Sequence, residues 1–87
     1  MEKFSVVKKH IDKLDYYGLL ESDAPADEYD SESKLISNII TEFSTTQEIA
    51  LAIAGVFNRQ FSDNQLPYWF MGCAEKIYRD LHTTFNL

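Results

Sequence analysis

The sequence predicts an all-α fold, a compact four-helix bundle, mostly up-and-down, in one helical domain spanning 1–87. Three observations predict it. Apolar residues recur at helical spacing in four separate stretches. Period-two alternation, the mark of a half-buried strand, is hinted at only in Ser5-Val6-Val7. The stretches are joined by short connections, which favour helices packed as neighbours. A chain of 87 residues is one domain and buries roughly 60–65% of its unfolded surface, enough for a single modest core. Six Phe, five Tyr and one Trp argue against disorder.

The first helix is expected from Lys3 to Leu14. Phe4, Val7, Ile11 and Leu14 fall on one face, while Lys3, Lys8, Lys9 and Asp12 fall on the other. Asp15-Tyr16-Tyr17-Gly18 ends it, because Gly18 can take positive φ. The linker from Asp15 to Pro25 carries Tyr16, Tyr17, Leu19 and Leu20, too apolar to stand wholly in water. Leu19 or Leu20 is expected to plug the end of the bundle.

The second helix is expected to begin near Pro25 or Asp27. Pro is tolerated in a first turn, Asp27 is a good N-cap, and Asp27, Glu28, Asp30 and Glu32 suit the positive end of the helix dipole. Ile36, Ile39, Ile40 and Phe43 form its buried stripe, with Tyr29 and Glu32 earlier on the same side. The third helix opens on a capping box, Thr45 with Glu48 three residues on. Its apolar face is Ile49, Ala52, Ile53, Val56 and Phe57, with Phe61 packing just past its end; Ala50, Ala52, Ala54 and Gly55 permit close approach by a neighbour. The fourth starts after Asp63 or Asn64 with Pro67 in its first turn, and Leu66, Phe70, Cys73 or Ala74, Ile77 and Leu81 carry its stripe. Tyr68 and Trp69 fall partly off that stripe; Trp69 is expected to close the bundle end against Leu66 and Phe61.

The charge is local. Between Lys13 and Lys34 stand Asp15, Glu21, Asp23, Asp27, Glu28, Asp30 and Glu32, with no Lys or Arg. The rest of the chain carries the other half of the 14 acids with all 8 bases, so the net charge of -6 belongs to this stretch. Tyr16, Tyr17 and Tyr29 lie inside it. Acid and aromatic together read as a contact surface, and the partner-binding set expected from sequence is Asp15, Tyr16, Tyr17, Asp27, Glu28, Tyr29, Asp30 and Glu32. An acidic balance disfavours nucleic acid, whose phosphates would be repelled. No apolar run is long enough to span a bilayer. Met1 is followed at once by charge rather than by a signal-peptide core, and Cys73 is the single cysteine, so a reducing cytoplasm is the expected location.

Catalytic and metal patterns fail one by one. His10 and His82 lie in no metal-binding spacing, and an EF-hand loop begun at Asp23 or Asp27 lacks both the glycine at its sixth position and the glutamate at its twelfth. Cys73 lies mid-helix on an apolar stripe, as a buried small hydrophobe does, with His82 too far along the helix to reach it. Glu28 and Glu32, one turn apart, are read as acids at a helix start rather than an acid/base pair. Gly18, Gly55 and Gly72 stand too far apart for a phosphate loop. No catalytic residue, cofactor or metal is therefore expected.

Asp15, Leu19-Leu20, Ala24-Pro25-Ala26-Asp27-Glu28-Tyr29 and Glu32, followed by Ile53, Phe57, Phe61, Cys73-Ala74 and Ile77, resemble the YugE-like family of small helical bacterial proteins over nearly the whole chain. The most specific piece is Ala-Pro-x-Asp-Glu-Tyr with Glu three residues on. The resemblance implies a small helical domain of unknown function, found mostly in Gram-positive bacteria, with some members near toxin genes, which suggests an immunity role for those. This chain departs where the family has Trp-Asp-Pro, having Leu14-Asp15-Tyr16 instead. No catalytic residue is implied. The motif also has a folding account: Pro25 starts the helix, Asp27 caps it, and the Tyr29 hydroxyl reaches a polar partner such as Asp15.

The expected function is a small acidic protein-binding module, immunity- or inhibitor-like, that sets residues 15–32 against a basic protein. The alternative is a structural protein without catalytic role that self-associates or serves as a subunit of an assembly, burying Trp69, Phe70 and Phe85 against a second copy.

Overall fold

A computed structural model describes residues 3–16 and 28–85. The described residues form an all-α helical bundle: α1 Lys3–Leu14, α2 Asp30–Ile39, α3 Thr46–Phe61 and α4 Met71–Phe85, the last entered through one 3₁₀ turn, Pro67–Phe70. α1 packs on α2, α2 on α3, α3 on α4, and α4 closes back on α1. That ring follows from the short α2–α3 and α3–α4 connections, which leave consecutive helices as neighbours. Among the described residues no helix is long and apolar enough to cross a membrane.

α1 has the expected bounds. Its buried face is Val6, Val7, His10 and Ile11, with Phe4 and Leu14 half-buried at its ends. The stripe is thus wider than the spacing of Phe4, Val7, Ile11 and Leu14 suggests, because α2 and α4 cover α1 from two sides. Asp15, at φ 45, ends the helix, and its N–H donates to the Ile11 carbonyl. Asp tolerates this left-handed conformation better than most side chains.

α2 departs furthest from expectation. It starts at Asp30 rather than near Pro25 or Asp27; Tyr29 occupies the N-cap position and makes no side-chain cap bond. Asp27, Leu19 and Leu20, with the capping and plugging roles expected of them, lie outside the described residues. The helix also stops early. Ile40 adopts an extended conformation (φ -87, ψ 158), and the chain turns through 41–44. Ile36 and Ile40 are buried as expected, but Ile39 is 59% and Phe43 85% exposed. The expectation that Ile39 and Phe43 belong to the buried stripe is corrected: Phe43 lies past the end of the helix, where helical spacing no longer sets direction.

α3 opens on the expected capping box. Glu48 N–H donates to Thr45 Oγ1 (3.1 Å) and Thr45 N–H to Glu48 Oε1 (2.8 Å), satisfying two donors that helical hydrogen bonding leaves over. Ile49, Ala50, Ala52, Ile53, Ala54, Val56 and Phe57 are buried, making α3 the most deeply packed helix described. Gly55 is exposed, and a Cβ built on it would meet nothing within 4 Å. The interior glycine costs ~1 kcal/mol against Ala, and no packing among the described residues requires it. Ser62 (φ 57) ends α3 in the left-handed region, donating back to Asn58.

An aromatic cluster closes the α3–α4 end. Phe57 stacks on Phe61 (5.6 Å between centroids) and on Phe70 (5.9 Å), and Tyr16 tilts over Phe57 at 4.8 Å. Tyr16 and Phe70 thereby occupy the position expected for Trp69. Phe57 is fully buried; truncation to Ala would cost ~3–5 kcal/mol. Phe70, Ala74, Ile77 and Leu81 form the buried stripe of α4, whereas Leu66 is 65% exposed.

Candidate functional site

The fold uses several of the described residues of the acidic segment for itself. Tyr29 is fully buried, and its hydroxyl donates to Asp15 Oδ1 at 2.9 Å, tying the end of α1 to the start of α2. Asp30 accepts from Lys8 Nζ at 2.6 Å, and Asp12 accepts from the same ammonium at 2.8 Å. These two hydrogen bonds raise the Lys8 pKa above its ordinary value. Glu32 is buried on the inner side of α2. Tyr16 is half-buried, and its hydroxyl donates to Asp63 at 2.9 Å; burial, then the Asp63 carboxylate, hold its pKa above the usual phenol value. Glu28 alone among the described members of the expected set is exposed. Tyr17 and Asp27 lie outside the described residues. Tyr29 and Glu32 therefore do not stand on an open acidic surface: helical spacing from Ile36 turns both inward. Their spacing from the α2 stripe already carried that signal.

The exposed aromatic surface lies at the opposite end of the sequence. Leu66, extended (φ -78, ψ 148), leads into Pro67, whose fixed φ suits a helical first turn, and Trp69 N–H donates to the Leu66 carbonyl at 3.0 Å. Asn58 clamps the approach to this turn: its amide donates to the Gln65 carbonyl (2.9 Å) and its carbonyl accepts from Gln65 N–H (2.8 Å). With Phe70 directed into the core, the two preceding residues point outward. Tyr68 is 79% and Trp69 67% exposed. Large aromatics on a backbone held this way present area at little entropic cost, a property of binding hot spots. The expected burial of Trp69 against Leu66 and Phe61 is corrected: Tyr16, from the start of the linker, fills that space.

Trp69 stands between two hollows. One, of about 290 Å³, is lined by Leu14, Tyr16, Gln65, Trp69 and Phe70. The other, of about 360 Å³, is lined by residues including His10, Lys13, Trp69, Cys73 and Lys76. Lys13 and Lys76 are exposed at its rim, so the surroundings of Trp69 are basic although the chain is acidic.

At and beside the second hollow the fold brings His10 of α1 to Cys73 and Asp80 of α4. His10 Nε2 lies 2.6 Å from Asp80 Oδ2, with Lys9 Nζ 3.5 Å from the same oxygen. The His10 contact, before Lys9, holds the Asp80 pKa below the usual carboxylate range. His10 Nδ1 is buried without a hydrogen-bond partner. The Cys73 thiol donates to the His10 backbone carbonyl, S···O 3.6 Å. Burial pushes that thiol up to about 11, against a smaller opposing effect of Lys76. A nucleophilic cysteine needs its sulfur on the base nitrogen and a depressed pKa; here the S–H is directed to a carbonyl and the thiolate is disfavoured. Among the described residues no group of three or more His, Cys, Asp or Glu stands close enough to hold a metal ion.

Compared with known proteins, the chain matches no family model, no curated protein and no solved structure.

Proposed function

We propose that this chain is a non-catalytic protein-binding module whose contact surface is the 3₁₀ turn carrying Tyr68 and Trp69. The observation that carries this is the 67% exposure of Trp69 beside exposed Leu66 and Tyr68 on a backbone clamped by Asn58. A small domain ordinarily needs its large aromatics inside, and clustered exposed apolar residues mark interaction sites. Lys13 and Lys76 beside Trp69 favour a protein partner that offers an apolar side chain flanked by carboxylates. The resemblance to the YugE-like family is compatible with a binding role and adds no catalytic one.

A second reading, the immunity- or inhibitor-like protein covering a basic site, is favoured by one observation. Glu28 is exposed and directly follows Asp27 in the stretch that holds the net charge of -6. The two differ in which residue carries affinity and in salt dependence. Capture of binding proteins from native lysate on wild type, Trp69→Ala and Glu28→Lys, at low and high salt, separates them. Retention by Glu28→Lys and loss by Trp69→Ala, with moderate salt sensitivity, supports the aromatic surface. Loss by Glu28→Lys and by salt, with Trp69→Ala unaffected, supports the acidic one.

A further inference from the structure

We infer that the chain forms a two-fold symmetric dimer through the groove between α2 and α3, with the α3 helices antiparallel. The groove, about 380 Å³, is bounded on one side by the exposed face of α3, along which Glu48, Leu51, Gly55 and Arg59 succeed one another, and on the other by the end of α2, including Ile39. Leu51 is 62% and Ile39 59% exposed, and Phe43, in the turn beyond α2, is 85% exposed.

The occupant follows from the order of these residues. A two-fold axis crossing α3 midway between Glu48 and Arg59 sets each Glu48 opposite the other copy's Arg59. The same register, to within one residue, sets each Leu51 over the other copy's Gly55. Charge and shape are therefore complementary to the same surface on a second copy, as an isologous contact requires. Glu48 Oε1 accepts from Thr45 N–H in the capping box, which leaves Oε2 for a guanidinium. Arg59 takes part in none of the ion pairs among the described residues. Gly55 has open space where its Cβ would be, so its absence serves no packing among the described residues; against a second α3 it lets the backbones approach. The ion pairs sit at the ends of the contact, where they set orientation, and Leu51, Ile39 and Phe43 supply the apolar area. This face is distinct from the Trp69 surface and does not depend on it.

Sedimentation equilibrium across a concentration series tests the dimer. Wild type is expected to dimerise. Arg59→Glu and Glu48→Arg each turn two attractive pairs into two repulsive ones and are expected to weaken it at least tenfold. The double variant Glu48→Arg/Arg59→Glu restores both pairs and is expected to return within about threefold of wild type. Gly55→Leu, on open surface, is expected to keep the fold by circular dichroism and weaken the dimer at least tenfold. Trp69→Ala is expected to leave it unchanged. A wild type that stays monomeric throughout overturns the inference. So does a dimer indifferent to Arg59→Glu and Gly55→Leu, or one the double variant fails to restore.

Discussion

Tyr29→Phe removes one oxygen from the centre of the fold and leaves everything else. The ring is fully buried, edge-on to Phe57 with centroids 6.2 Å apart, and Phe keeps that contact. What is lost is the 2.9 Å hydrogen bond to Asp15 Oδ1. A hydrogen bond to a charged group contributes ~1.5–3 kcal/mol, and water can reach the half-buried Asp15 after the change, so the expected cost is ~1–2 kcal/mol. In a domain of this size that lowers Tm by roughly 4–16 °C. The assay is urea unfolding, with the midpoint expected to fall at constant m-value. Asp15→Asn keeps an acceptor and tolerates φ 45, so it should cost less than Tyr29→Phe, and the double variant should show a coupling of ~0.5–1 kcal/mol. A Tyr29→Phe cost under ~0.5 kcal/mol would refute the view that this bond, rather than ring packing alone, joins α1 to α2.

Other outcomes are open to measurement. Trp69 is the single tryptophan, so native fluorescence should resemble that of the unfolded chain in emission and in acrylamide quenching; a blue-shifted, protected emission contradicts its exposure. Thr45→Ala removes half of the capping box and should destabilise by ~1 kcal/mol in the same urea assay, with no effect contradicting the cap. Cys73, at about 11, should be about 0.1% thiolate at pH 8 against about 25% for a free thiol, so iodoacetamide should label it at least a hundredfold more slowly in the native than in the unfolded state. Asp80 has a lowered folded pKa, so its stabilisation is present above the ordinary Asp value of ~3.9 and disappears as pH falls through the folded value. The stability gap between wild type and Asp80→Asn should therefore shrink as pH falls through the folded value; a gap that grows in acid contradicts the sign.

Sequence patterns were informative where the determinant is local. The bounds of α1, the Thr45–Glu48 capping box and the stripe from Phe70 to Leu81 each depend on residues a few positions apart. The pairing of Tyr29 with Asp15 was legible too, since a buried phenol demands an acceptor and the linker offers a nearby carboxylate. Phe43 was misread because periodicity does not say where a helix stops, and Ile40 ends α2 by turning extended, while Ile39, the last residue of α2, is exposed within the helix itself. Trp69 was misread because two aromatics could fill one space. Tyr16, carried there by the end of α1, took it with its hydroxyl on Asp63. Within the expected acidic contact set, Asp30 pairs with Lys8 and Glu32 turns inward, and a local count of acids registers neither, because Lys8 comes from another helix and burial is set by packing. His10 is distant in sequence from Cys73 and Asp80, and only the packing of α1 on α4 joins it to them.

The most direct test of the proposed contact surface is site-specific photocrosslinking in the native cell. A benzophenone amino acid replaces, one at a time, Tyr68, Trp69 and Glu28, all exposed, so that each variant keeps the fold. A protein adduct common to positions 68 and 69 and absent from 28, abolished when Lys13 and Lys76 are both changed to Glu, is the predicted result. Adducts at 28 with none at 68 or 69 would contradict the account and return the contact to the acidic segment.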